Sequence, residues 1–294
     1  MHKYLRAVGF SEKKSRKEIH ELIILAMKEA QQKNYTSLDD KELLAEYCFY
    51  LAEGIGICVR GVFDENDVLH YEYYFPFLTS AIISSTKDIS IERHAEKESY
   101  AGVCDDMKVG VSLIFYLQNM ITYLKLKSEK RLKDLPTTLT LTALSCQGSI
   151  MMPIEKHHED EIKAKKAMRK RNRLIEEARR GNEEAIESLT MEDMDTYSEI
   201  SYRIHREDIY SLVDTYFMPY GVECDQYSVL GEIKDCRKVA NRITGEECYI
   251  LTVNSNDLLF DVCINAKDLY GEPQIGRRFK GSIWMQGYVN YPDM

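Results

Sequence analysis

Imidazole and carboxylate side chains alternate along two short segments of the sequence. "LHYEYY" places His70 and Glu72 two residues apart, and "SIERHA" does the same for Glu92 and His94. Side chains two apart in a strand share a face. If these strands pair antiparallel, the four groups converge and would suit a divalent transition metal or acid–base chemistry. A solvated face with complementary cross-strand charges is the simpler interpretation, and we favour it because the pairing is assumed.

Two further motifs imitate functional sites. "HHED" at 157–160 could ligate a metal, but its acids also suit the start of the charged helix that follows. "GIGICVRG" at 54–61 resembles a phosphate-binding loop but lacks the third glycine and the following helix, so it predicts a strand. No motif is specific enough to name a reaction. We therefore expect no cofactor beyond that hypothetical metal and favour a non-enzymatic protein, with an enzyme as the alternative.

The eight cysteines give information about the cellular compartment rather than about a functional site. They form no C-x-x-C pair, and most lie in apolar, strand-like runs. This distribution favours reduced thiols in a core over a zinc site or a disulfide framework. The N-terminal residues have no apolar core of the kind that a signal peptide needs, and no apolar run approaches a membrane span. We expect a cytoplasmic protein without a membrane partner.

The last predicted strand, "GRRFKGSIWMQGYVNY", separates into two faces. Because side chains alternate along a strand, Phe279, Ile283 and Met285 share an apolar face that belongs in a core. The opposite face combines aromatic rings with cationic and amide groups, and we predict it as the binding surface: Trp284, Tyr288, Arg278, Lys280 and Gln286.

Three interpretations of this polar face stay open. The first is that Trp284 packs under another element and joins two parts of the chain. Aromatic and arginine side chains also mark protein interfaces, so a protein partner comes next. Single-stranded nucleic acid comes last, because residues 229–294 hold eight basic against nine acidic residues and the whole chain carries a net charge of −9. The leading functional hypothesis is a binding or scaffolding protein, whose oligomeric state the sequence does not define.

The elements that must position these residues predict an α+β protein. Residues 1–154 indicate a mostly antiparallel sheet with few helices, beginning with a strand at 4–10. Residues 155–224 form a charged helical connector, in which a basic helix precedes acidic helices that begin after Asn182 and again at Thr190. Residues 225–294 contain four strands and predict a small β-barrel, OB-like or SH3-like.

Several whole phrases of the sequence resemble a family of uncharacterised proteins from anaerobic Gram-positive bacteria. They are "MHKYLRAVGF", "GNEEAIESLTMEDMDTYSEI", "MPYGVECDQYSVLGEI" and "GRRFKGSIWMQG". The resemblance runs over the whole chain and implies a bacterial, cytoplasmic protein. It implies no activity, cofactor or catalytic residue.

Overall fold

A computed structural model describes residues 2–12, 15–39, 42–93, 99–106, 112–132, 136–154, 158–204 and 213–292. The chain is α+β, as predicted, and it divides into two compact units. Residues 1–151 and 217–294 form the first unit, and residues 152–216 form the second. The N-terminal sheet region and the C-terminal strands therefore contribute to the same unit.

The first unit contains a four-stranded antiparallel sheet. Its strands are β1 (Gln32–Asp39), β2 (Glu42–Ala52), β3 (Ile55–Phe63) and β4 (Leu69–Leu78), which follow one another in space as in sequence. The predicted turn between β3 and β4 forms, and the Asp64 carboxylate accepts hydrogen bonds from the backbone N–H of Asn66 and Val68. Pro76 lies in β4 at the sheet edge, as expected for a residue without an N–H donor.

The first unit also contains a closed five-stranded barrel. Its strands pair in the order β8 (Thr138–Met151), β12 (Leu258–Asn265), β11 (Glu247–Ser255), β10 (Gln226–Ala240) and β14 (Arg278–Asn290), and β14 pairs with β8 to close the ring. The four predicted C-terminal strands are all present. The fifth comes from Thr138–Met151, before the helical segment.

Short strands extend this sheet beyond the barrel. They are β5 (Ile89–Arg93), β6 (Tyr100–Cys104), β7 (Leu113–Leu117), β9 (Tyr216–Pro219) and β13 (Leu269–Tyr270). Strand β7 pairs with the end of β14, and β6 and β5 follow it outward. The sheet therefore continues beside β14 into β7, β6 and β5.

Apolar side chains fill the barrel. The predicted core face of β14 is confirmed, because Phe279, Ile283 and Met285 are fully buried among side chains from the other barrel strands. The Phe115 ring of β7 packs directly against Gly102 and Gly287, which have no side chains. A Cβ added at either glycine would stand 2.1–2.2 Å from ring atoms. Close approach of a large ring requires glycine at both positions.

The prediction of a strand at residues 4–10 is wrong. Lys3–Val8 forms a 3₁₀ helix that ends at Gly9 with φ of +94°. Leu5, Ala7 and Val8 are fully buried, and the run is too short for exposed Lys3 and half-buried Arg6 to mark a period. A short apolar run of this kind does not distinguish a strand from a helix by pattern alone.

Two helices cover the four-stranded sheet. Helix α1 (Arg16–Lys28) begins at Ser15, whose side chain forms a capping box with Glu18, and it buries an apolar stripe against β2 and β3. Helix α2 (Met120–Ser128) follows β7, as predicted, and packs against β1 and β2. No helix in the described part of the chain has the length and apolarity that crossing a membrane requires.

The second unit is a pair of helices, α3 (His158–Arg179) and α4 (Glu183–Ile204). The Asn182 side chain accepts hydrogen bonds from the backbone N–H of Glu184 and Ala185, which confirms the predicted cap. No new helix begins at Thr190. Its hydroxyl instead donates to the Ile186 carbonyl one turn earlier, and α4 continues through it.

Candidate functional site

A cleft of about 1210 Å³ opens on the first unit. Side chains of the 3₁₀ helix, β3, β4, β7 and β14 line it, together with the residues that precede β10. Its aromatic and charged members are His2, Lys3, Tyr4, Arg60, Glu72, Tyr73, Tyr116, Glu223, Asp225 and Trp284.

Trp284 is the centre of an aromatic cluster in this cleft. Its ring stacks on Tyr4 with centroids 5.1 Å apart, and the rings of His2 and Tyr116 lie 5.0 and 5.2 Å away. The indole Nε1 donates to the Asp225 carboxylate at 2.7 Å. Trp284 is only 5% exposed, so it joins β14 to the 3₁₀ helix while its edge lines the cleft. The first of the three interpretations of this face is thus the observed packing.

Acidic groups predominate at the rim. Glu72 and Glu223 are exposed, and Asp225 is half-buried beside the indole. Lys3 is the exposed cation among the lining residues, and its ammonium lies over the Tyr4 ring at 4.8 Å. The solvent-facing part of the cleft therefore carries three carboxylates against one lysine.

Arg60 forms the floor of the cleft, and its charge is neutralised by Glu46. Its guanidinium is buried and donates to Glu46 at 2.7 Å, to the Tyr116 hydroxyl at 2.8 Å and to the Gln118 carbonyl at 2.5 Å. It also lies over the Phe75 ring at 4.7 Å. Burial opposes the charge on Arg60, but Tyr116 and Glu46 outweigh burial and raise its pKa, so the guanidinium stays charged.

The tyrosines of the cleft are neutral at neutral pH. Burial raises the pKa of Tyr73 to about 12, and it also raises the pKa values of Tyr4 and Tyr116. Their hydroxyls can therefore donate or accept hydrogen bonds but cannot serve as anionic nucleophiles. The arrangement is suited to holding a ligand by ring contacts and carboxylates.

The five residues predicted on the polar face of β14 are distributed over different environments. Trp284 lines the cleft, whereas Gln286 is fully buried and donates to the Pro76 carbonyl at 2.8 Å. Arg278 is buried, and Lys280 lines a second cavity of about 530 Å³. Tyr288 is 44% exposed. These residues do not form one continuous exposed surface, because the four-stranded sheet and the 3₁₀ helix cover the middle of the strand.

The strands that carry the predicted His/Glu group belong to different sheets. His70 and Glu72 lie on β4, which pairs with β3, while Glu92 lies on β5, which pairs with β6. His94 lies outside the described residues. A backbone hydrogen bond from Val68, together with the nearby His70 ring, lowers the pKa of Asp64 to about 2, and His70 Nε2 lies 2.8 Å from that carboxylate. The metal role of these residues stays a prediction.

Sequence reasoning missed a different cluster on β2 and β3. Cys48 and Cys58 are directly opposite each other in the hairpin register, and Glu46 is opposite Arg60. The ligand atoms of Glu46, Cys48 and Cys58 all lie within 4.8 Å of one another. The signal was the hairpin "EYCFYLAEGIGICVR", in which each strand carries one cysteine near the turn, and an irregularity between Tyr50 and Ala52 brings the two cysteines into register.

One family of proteins matches this chain. Its model, described as "Domain of unknown function, E. rectale Gene description (DUF3881)", matches residues 5–287. The chain belongs to this family. The match confirms the resemblance to an uncharacterised family over nearly the whole sequence. Neither the curated proteins nor the solved structures contain a match.

Proposed function

We propose that this chain is a non-enzymatic binding protein of the bacterial cytoplasm, and that its cleft receives a short basic segment of a protein partner. The observation that carries this proposal is the combination around Trp284 of packed aromatic rings with the carboxylates of Glu72, Glu223 and Asp225. A lysine or arginine side chain is the group that both features attract.

The chemistry of the lining favours a cation. An ammonium or guanidinium gains energy over an aromatic face, and more so when it is partly desolvated. Lys3 already illustrates this contact on the Tyr4 ring. The Tyr73 side chain is 37% exposed, and it lines the cleft together with Glu72, so a second cation has a ring and a carboxylate available. The net charge of −9 also favours encounters with basic partners.

The size of the cleft favours a peptide segment. At about 1210 Å³ it exceeds the usual range of about 300–1000 Å³ for small-molecule sites. An acidic rim repels phosphates, so single-stranded nucleic acid is disfavoured as the occupant. A segment of a few residues fits both the volume and the charge.

Fluorescence of Trp284 tests the proposal because it is the sole tryptophan of the chain. The probes are capped hexapeptides that carry lysine, norleucine or glutamate at two central positions, on the same glycine–serine background. We expect lysine peptides to shift or quench the emission saturably. We expect glutamate peptides to have no effect and norleucine peptides to bind at least about tenfold more weakly, as loss of about 1.4 kcal/mol implies.

The paired variant Glu72→Gln/Glu223→Gln removes two carboxylates without removing a ring contact. We expect it to weaken binding of the lysine peptide by about tenfold or more. Glu29→Gln and Glu272→Gln are exposed controls outside the lining and should retain the parental affinity. Equal affinity for lysine and norleucine peptides, or no response to either, would overturn the proposal. Preferential binding of an oligothymidylate with steep salt dependence would replace it with nucleic-acid recognition.

A further inference from the structure

The face of β2 and β3 that carries Arg60 also presents two thiols and a carboxylate. Glu46 and Cys48 are two residues apart on β2 and share a face, and their cross-strand partners are Arg60 and Cys58. Glu46 is 4% exposed and Cys58 is 1% exposed, whereas Cys48 is half-buried. Among the described residues, Glu46, Cys48 and Cys58 are the group of three potential metal ligands whose ligand atoms all lie within 4.8 Å of one another.

We propose that Glu46, Cys48 and Cys58 form a binding site for Zn²⁺. Thiolate sulfur and carboxylate oxygen are both zinc ligands, with bond lengths of about 2.3 and 2.0–2.2 Å. The sulfurs and oxygen need to contract by only about an ångström to share one ion at those lengths. Zinc is four-coordinate, so three protein ligands leave one position for water or another small ligand.

Charge balance supports a divalent ion at this position. Glu46 and Arg60 already neutralise each other at 2.7 Å. When both thiols bind as thiolates, two protons leave for solvent and one Zn²⁺ replaces them, so the formal charge of the buried group does not change. A buried charge that lacks a counter-charge is costly, and this exchange avoids one. A monovalent ion would leave the same group with a net negative charge.

Strand geometry favours a bridging ion over a disulfide. Side chains directly opposite each other on antiparallel strands have Cβ atoms about 4.5–5.5 Å apart. Disulfides have a mean Cβ separation of about 3.8 Å, so closing one between Cys48 and Cys58 would strain the hairpin. An ion between the sulfurs spans the wider gap. Half-buried Cys48 provides the approach from solvent.

A second thiol pair supplies a matched control. Cys248 and Cys263 lie near each other on β11 and β12 and are fully buried, as Cys58 is. No carboxylate joins them within 4.8 Å among the described residues. The pair therefore tests whether two neighbouring buried thiols suffice, or whether Glu46 is needed.

The experiment uses the untagged, fully reduced full-length chain. Zinc is titrated by calorimetry, and metal retained after desalting is counted by mass spectrometry. We expect one Zn²⁺ per chain. The variants Cys48→Ser and Cys58→Ser should each weaken binding by at least about 100-fold, while Cys263→Ser should bind as the parent does. Cd²⁺ should give a thiolate charge-transfer band in the parent and in Cys263→Ser but not in Cys58→Ser.

Several outcomes would overturn the site. One is the absence of stoichiometric zinc in the parent, which needs no variant and so does not depend on variant folding. Another is loss of binding in Cys263→Ser but not in Cys58→Ser. A third is a Cys48–Cys58 disulfide that forms on treatment with glutathione disulfide while zinc does not bind. Peptide binding in the cleft is measured separately, so either proposal can fail alone.

Discussion

Opposite charges meet in both units of this protein, but in different surroundings. In the first unit, Arg60 and Glu46 are each about 95% or more buried and contact at 2.7 Å. In the second, Lys170–Glu192 and Arg171–Asp193 also contact at 2.7 Å, yet their side chains are 36–68% exposed. The distances are the same, so distance does not rank these pairs by their contribution to stability.

Burial is the variable that separates them. A buried ion pair has lost its hydration, so removing one partner leaves a charge that nothing compensates. An exposed pair exchanges protein contacts for water contacts at little net gain. The buried Arg60–Glu46 pair therefore fixes one arrangement of its strands, whereas the exposed pairs of the helices contribute weakly and depend on salt. Four predictions test this ranking.

The largest effect should follow Arg60→Met. It leaves the Glu46 carboxylate buried without its guanidinium, and we expect a loss of about 3–5 kcal/mol in the free energy of unfolding. Urea denaturation at neutral pH measures it. Arg237→Met is the control, because the Arg237–Glu53 pair is exposed and should cost less than about 1 kcal/mol. A double variant, Arg60→Met/Glu46→Leu, should be more stable than Arg60→Met, and the ranking fails if it is less stable.

The next effect depends on pH and concerns Glu246. Burial by itself would raise the pKa of this carboxyl, but hydrogen bonds from Lys267, Ser11 and Asn265 outweigh it and lower the pKa from 4.5 to about 2. The folded state therefore favours the ionised form. Its contribution is complete above about pH 4.5 and is lost as the pH falls toward 2.

The variant Glu246→Gln should therefore be roughly 2 kcal/mol less stable at pH 7, after allowance for solvent screening. The difference from the parent should shrink as the pH is lowered from 4.5 toward 2. Denaturation curves at several pH values measure it. Glu247→Gln, in an exposed pair with Lys238, should change stability little at any pH. A deficit for Glu246→Gln that stays constant across this range would contradict the assignment.

A smaller effect should follow Arg6→Lys. Arg6 makes two parallel hydrogen bonds of 2.6 Å to Asp268 and a third to the Ser11 carbonyl, but it is 41% exposed. Lysine keeps the charge and loses the planar fork, so we expect a loss of about 1 kcal/mol. Thermal unfolding measures it, and Lys267→Arg, which keeps its charge beside Glu246, is a control substitution. A loss as large as that of Arg60→Met would break the ranking by burial.

The smallest effect should come from the helix pair. We expect Lys170→Met/Arg171→Met to cost less than about 1 kcal/mol at low salt. The cost should decline further in high salt, because exposed charges are screened within about 10 Å at 0.1 M. Unfolding curves of the helices, followed by circular dichroism at two salt concentrations, measure this cost. An equal cost at both concentrations would mean that these pairs act through packing rather than charge.

Periodicity in the sequence predicted most of the fold. The alternation along β14 identified the apolar face of Phe279, Ile283 and Met285, and the change from a basic to an acidic segment at Asn182 located the boundary between α3 and α4. Both signals are local and repeat over many residues. The 3₁₀ helix at Lys3–Val8 was missed because so short a run is compatible with either a strand or a helix.

The candidate sites were harder to predict because they depend on register. Asp225 reaches Trp284 only because β10 and β14 pair at that point, with Gln226 opposite Trp284. Cys48 meets Cys58 only through the register of one hairpin. The composition of these segments gives no information on such contacts. The buried floor residue Arg60 looks, in sequence, like an ordinary charge on a strand.

The position of β8 has a consequence for synthesis of the protein. Residues 138–151 leave the ribosome well before 278–290, the strand with which they pair along almost their whole length. At about 5–20 residues per second, the wait is on the order of ten seconds. During that time an apolar strand exposes the edge that will later close the barrel. The helix pair is made of local contacts, which form fast, so it can fold before the strand that completes the first unit has been synthesised.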